Sequence, residues 1–265
     1  MPKKLPTRLS SEPLIDAIFE IHCQASAPLP VLLPGLLVGK LNSSQPIQAE
    51  TLGPSVLPAE LRAADPRLQF APAVRLSWGD FFVTIGDSVV GVGCKYPYPG
   101  WSALKNAILE VMNAAAQSPV IQSLSRCSLK YIDLIPGTDR AAQVRRFNWN
   151  IRLGDHTLKS ELFTLRLELP EDDLINVVQI CTAVSATVAP SSYRPDHQGT
   201  KVLEKQGALV DIDTIMKLND LHMADFRATL SDRLDRLHNA NKQMFFSCLT
   251  EEAIVELGAE YGDAN

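Results

Sequence analysis

No run of the chain reaches the ~20 consecutive apolar residues that a membrane-spanning helix needs, so no membrane contact is expected. Cysteine is sparse. The five residues Cys23, Cys94, Cys127, Cys181 and Cys248 are odd in number, widely spaced and without a C-x-x-C pair. That excludes a disulfide framework and points to a reducing cytoplasm. Positive charge is also short: 25 Lys and Arg stand against 30 Asp and Glu, a formal net charge of −5. A nucleic-acid binder needs a basic face to neutralise phosphate, so that partner class is disfavoured. Lys3, Lys4 and Arg8 would suit the start of a secretory signal, but no apolar core follows them, and no leader is expected. The histidines, His22, His156, His197, His222 and His238, form neither H-E-x-x-H nor H-x-x-x-H.

The glycine-containing stretch Gly86-Asp-Ser-Val-Val-Gly91-Val-Gly93 lacks the Lys of a phosphate-binding loop. It also lacks the final Gly of a nucleophile elbow, and it reads as a plain hairpin. What is abundant is apolar character, at 46% of residues with 21% charged. A chain of 265 residues with that balance buries a sizeable core and is not disordered.

Alternation marks the strands. Ile15, Ala17, Phe19, Ile21 and Cys23 share one side of a strand over 14–23. Val74–Trp78, Phe81–Ile85 and Val89–Cys94 are separated by Gly-Asp turns and predict an antiparallel meander. Further strands are expected at Leu129–Ile135, Trp149–Leu153, Phe163–Leu169, Leu174–Val188 and Leu209–Thr214, with a turn at Pro170–Asp173 and a loop at Pro190–Gly199. Helical spacing of Leu104, Ile108, Val111, Met112 and Ala115 predicts a helix opening at Trp101. A second runs from about Phe226 to Leu249, and Thr250 caps a last short one ended by Gly258. Between residues 25 and 72 eight prolines interrupt the pattern, leaving at most short helices at Val31–Leu41 and Pro58–Ala64. This insertion reads as a lid or partner surface.

The expected fold class is α+β: antiparallel meander sheets with two long amphipathic helices packed on them. The grammar of the chain repeats loosely, which suggests two related halves, 1–140 (with the proline-rich insertion 25–72) and 141–265.

Two sets of residues are candidates for a site. In Lys95-Tyr-Pro-Tyr-Pro-Gly-Trp101, prolines stiffen a loop bearing Tyr96, Tyr98 and Trp101, residue types that anchor protein interfaces. The alternative use of Trp101 is as a core plug. Asp211 and Asp213 put two carboxylates on one strand face and would suit Mg²⁺ if a third, such as Asp133, lay nearby.

Leu5-Pro through Pro13-Leu-Ile-Asp-Ala-Ile-Phe-Glu-Ile21 resembles the opening of a sporadically distributed family of uncharacterised bacterial proteins of about this length. The Tyr98-x-x-Trp101 helix start resembles it too, as do Leu129-Lys-Tyr-Ile-Asp-Leu-Ile135, Asp211-Ile-Asp213, Leu237-His238 and Phe245. Asp133 stands where a typical member carries Asn. The resemblance implies no established activity. It implies a setting among mobile elements, phage defence or toxin–antitoxin-like modules.

The sequence thus leads to a non-catalytic binding or interaction protein with a protein partner and no cofactor. Two alternatives stay open: a metal-dependent enzyme acting on nucleotides or phosphate esters through Asp211 and Asp213, and a sheet-based chaperone for extended chains. Oligomeric state is not legible.

Overall fold

The computed structural model describes residues 4–65, 68–188 and 203–262. The expected loop at Pro190–Gly199 lies outside them. The fold is α+β, with a nine-stranded antiparallel sheet and helices packed on it. In chain order its strands are β2 (Leu14–Ala25), β3 (Gln48–Thr51), β4 (Val74–Trp78), β5 (Phe81–Ile85) and β6 (Val89–Cys94), then β7 (Ile121–Pro136), β10 (Thr164–Glu171), β11 (Leu174–Val188) and β12 (Leu203–His222). The spatial order is β10-β11-β12-β7-β2-β6-β5-β4-β3. Small two-stranded pairs join β1 (Arg8–Leu9) to β13 (Ala259–Glu260), and β8 (Arg152–Leu153) to β9 (His156–Thr157).

The chain separates into two compact units, each discontinuous in sequence. One comprises 1–15, 130–214 and 238–265; the other comprises 16–129 and 215–237. They are interleaved along the chain, whereas the sequence reading divided it in order near residue 140.

The unit built on residues 16–129 contains the expected meander. Phe19↔Val92, Val92↔Val83 and Val83↔Leu76 stand in register across four strands, and all four side chains are buried. Two helices, α1 (Leu29–Val38) and α3 (Trp101–Ala115), pack on this unit's strands and on each other. The lid reading of the insertion fails for one face of α1. Leu29, Leu33 and Leu37, spaced by four, are 0–2% exposed, so that face is core despite Pro34 within the helix, while Val31, Leu32 and Val38 are 74%, 48% and 46% exposed. The remainder of the insertion forms β3, whose polar Gln-Ala-Glu-Thr run carried no strand signal, then a 3₁₀ turn over 53–56 and the short helix α2 (Ala59–Ala64).

In the other unit, Ile135, Val178, Ile180, Ala208, Val210 and Ile212 meet Phe245, Phe246 and Leu249 of α5 (Met223–Cys248). The last helix, α6 (Glu251–Glu256), adds Ala253 and Ile254. Its start follows the predicted cap, since the Thr250 hydroxyl accepts from the Ala253 N–H at 3.2 Å. Gly258 ends it at φ +69°. A short helix, α4 (Arg140–Arg145), is capped by Asp139.

Several boundaries differ from expectation, among them the strand expected at Trp149–Leu153, of which only Arg152–Leu153 forms β8. β7 starts at Ile121, well before the expected Leu129, and the added stretch includes the buried polar residues Ser123 and Ser128, which no hydrophobic pattern marks. β12 runs well past Leu209–Thr214 on both sides. Pro170 and Glu171 belong to β10, and the turn is Asp172-Asp173, with Asp172 at φ +53°.

Candidate functional site

The Tyr96–Trp101 loop follows β6 and is anchored at both ends. The Lys95 N–H donates to the Asp80 carbonyl at 2.7 Å, and its ammonium donates to the Gly79 carbonyl at 2.8 Å. The loop is therefore tied to the β4–β5 turn. At its far end Gly100, at φ +94°, turns the chain into α3, a conformation that favours glycine. Tyr96, Tyr98 and Trp101 are each half-buried, and Pro97 and Pro99 are exposed. Trp101, the first residue of α3, is half-buried. The buried face of α3 begins at Leu104 and continues through Ala107, Ile108 and Val111.

Asp211 and Asp213 sit on β12 between core positions. Val210, Ile212 and Thr214 are buried toward α5, so the two aspartates point to the opposite face of the strand. Asp211 has Lys130 of β7 3.8 Å away, with the two side chains 23% and 32% exposed. Asp213 Oδ1 is buried without a hydrogen-bond partner. Asp133, the proposed third ligand, alternates with Ile132 and Leu134. It shares the face of Ile135, which joins the α5 core, and of Tyr131, which meets His238 on that helix. The strand therefore separates Asp133 from the pair. Among the described residues no group of three or more His, Cys, Asp or Glu is placed to hold a metal ion.

The structure assembles polar groups that no local motif announced. In the 16–129 unit, His22 is 5% exposed and stacks on Phe70, with ring centroids 3.8 Å apart. An Arg126 Nη2 lies 3.1 Å from its Nε2. A guanidinium only donates, so Nε2 is the unprotonated acceptor. Burial first, and the adjacent cation second, push the His22 pKa down to about 4. Nearby in sequence to Phe70, Arg62 is 8% exposed and forms a two-point pair with Asp87, at 2.7 and 2.9 Å. It also donates to the Leu57 carbonyl at 2.5 Å. This clamp fixes the second half of the proline-rich segment as a strap.

In the other unit, the Tyr131 hydroxyl lies 3.0 Å from His238 Nδ1. Thr214 donates to Asn176 at 2.8 Å, and Asn241 Nδ2 donates to the Ile212 carbonyl at 2.8 Å. Burial, with Glu12 adding like charge, raises the Asp133 carboxyl well above its ordinary range. Tyr131 and His238 are 107 positions apart, Thr214 and Asn176 38, and Asn241 and Ile212 29, separations that no local spacing motif covers. Burial pushes Cys23, Cys94 and Cys127 up to about 12 and Cys248 to about 11.

Neither a protein-family model nor a curated protein matches the chain.

Proposed function

We propose that this is a binding protein that engages a protein partner through the Tyr96–Trp101 loop. One observation carries the reading: three large aromatic side chains, all only half-buried, stand on a six-residue loop tethered at Lys95 and at the α3 start. Pre-ordered aromatics lose little entropy on binding and are typical interface anchors. The family resemblance supplies a setting for such a partner, a bacterial defence or toxin–antitoxin-like module. Crosslinking in the native host identifies the partner, and the dissociation constant is then measured for the purified pair. Tyr96→Ala with Tyr98→Ala is expected to keep the thermal midpoint and weaken binding at least tenfold, about 1.4 kcal/mol. Unchanged affinity sinks the loop reading. The metal-enzyme alternative is checked separately: Mg²⁺ or Mn²⁺ filling a site at Asp211 and Asp213 would raise the melting temperature. No rise is expected, because Lys130 stands at one carboxylate and Asp133 faces away.

A further inference from the structure

We propose that the chain forms a twofold dimer in which β10 pairs antiparallel with β10 of a second copy. β10 is at one end of the strand order, and among the described residues nothing pairs with its outer side. Its inner side is set by β11. The Thr182 N–H donates to the Phe163 carbonyl at 3.3 Å, in line with the register Thr164↔Cys181. Residues of odd number therefore turn their backbone groups toward β11, and those of Thr164, Arg166 and Glu168 face outward. Pro170 falls in the same outward series and has no N–H to give, so pairing ends there.

The side chains then choose the partner and the register. Leu165-Arg-Leu-Glu-Leu169 is its own complement when read antiparallel. With Leu167 on the axis, Arg166 stands opposite Glu168 of the second copy, and Glu168 opposite its Arg166. Leu165 stands opposite Leu169. Outward-facing residues meet outward-facing residues, as a ladder requires. The neighbouring registers that keep this parity place Arg166 opposite Arg166, or Glu168 opposite Glu168, and like charges directly opposed are unfavourable. Such an arrangement is isologous and closes on itself. Within one chain Arg166 Nη2 and Glu168 Oε1 already lie 2.7 Å apart, so the pair needs only to exchange partners across the axis. Leu167 and Leu169, 43% and 38% exposed, lie on the face where Val178 stands opposite Leu167 within the core of this unit. Dimerisation extends that core across the axis. Charges and a proline on an edge strand deter pairing with unrelated strands, whereas in this one register Arg166 and Glu168 are matched by a second copy.

Sedimentation velocity from about 1 to 100 µM, the range where micromolar association is read, tests the proposal. The wild-type chain is expected to dimerise. Arg166→Glu alone, or Glu168→Arg alone, creates two like-charge contacts per dimer and should raise the dissociation constant roughly tenfold. Arg166→Glu combined with Glu168→Arg should restore it. An equimolar mixture of the two single variants should form a heterodimer, because each then supplies the charge the other lacks. All these side chains are exposed, and an unchanged circular-dichroism spectrum checks that each variant folds. A wild-type monomer at the highest concentration overturns the proposal. So does a dimer indifferent to either single reversal, or a combined variant that fails to recover.

Discussion

At the scale of single residues, the glycines of β6 have a packing reason. A Cβ on Gly93 would meet the Phe82 ring, and one on Gly91 would meet the Thr84 hydroxyl. Arg75 lies 4.0 Å from the centroid of the same Phe82 ring, so the ring has little room to give. Gly93→Ala is expected to cost about 1–3 kcal/mol by overpacking, measured by urea unfolding. Adding Phe82→Ala should cost less than the sum, because the clash is gone. Asp133 gives a second test. At low pH the carboxyl is protonated in both the folded and unfolded chain, and it adds no pH dependence. As pH rises through the ordinary carboxyl range, the unfolded chain loses a proton that the folded chain keeps, and stability falls until the buried group itself ionises. Asp133→Asn removes that slope. The variant should gain on wild type as pH rises from about 3.5 to 8, by on the order of 1 kcal/mol. A constant difference across that range contradicts the assignment.

At the scale of elements, the proline-rich insertion divides by how its apolar residues are spaced. Leu29, Leu33 and Leu37 recur at four and make one face of α1 core. α1 also exposes Val31 at 74%, but the 3₁₀ turn over 53–56 has no buried residue, Val56 and Leu61 are 83% and 57% exposed, and the strap that carries them is held by the Arg62 clamp. Limited thermolysin digestion should cut within 42–72 before it cuts 29–38 or 101–115. Arg62→Ala should speed that cut severalfold and lower stability by about 1–3 kcal/mol, since a charge-assisted pair and carbonyl contacts are lost together. Early cleavage inside α1 would contradict the division. The meander was legible because two Gly-Asp turns bracket clean alternations, and α3 because its apolar residues keep one period. β3 was not, because all four of its residues are exposed and nothing in them records a buried face. β7 was half legible: Ser123 and Ser128 are buried, and a buried serine is invisible to a hydrophobic pattern.

At the scale of the whole molecule, the described chain holds its five thiols free. Cys23, Cys94 and Cys127 are buried with pKa pushed to about 12, while Cys181 and Cys248 are half-buried. A disulfide-exchange reagent at neutral pH should label no more than two thiols rapidly in the native protein. The other three should react at the rate of unfolding and accelerate in urea. Rapid labelling of all five would mean the core opens far more readily than its burial implies.

The sequence by itself determined the class of fold, most of the strands, the two long helices and the Thr250 cap of α6, because those follow from local period and local backbone chemistry. It also marked Tyr96, Tyr98 and Trp101 as a stiffened aromatic loop, though not that Trp101 would stay half outside the core. Tertiary structure alone decided which polar residues meet. Arg126 reaches His22, Asp87 receives Arg62, and His238 finds Tyr131 across separations that no motif spans. It also decided that Asp133 turns away from Asp211 and Asp213. Alternation fixes which residues of one strand share a face, but only the pairing of strands and the placement of α5 fix which face that is.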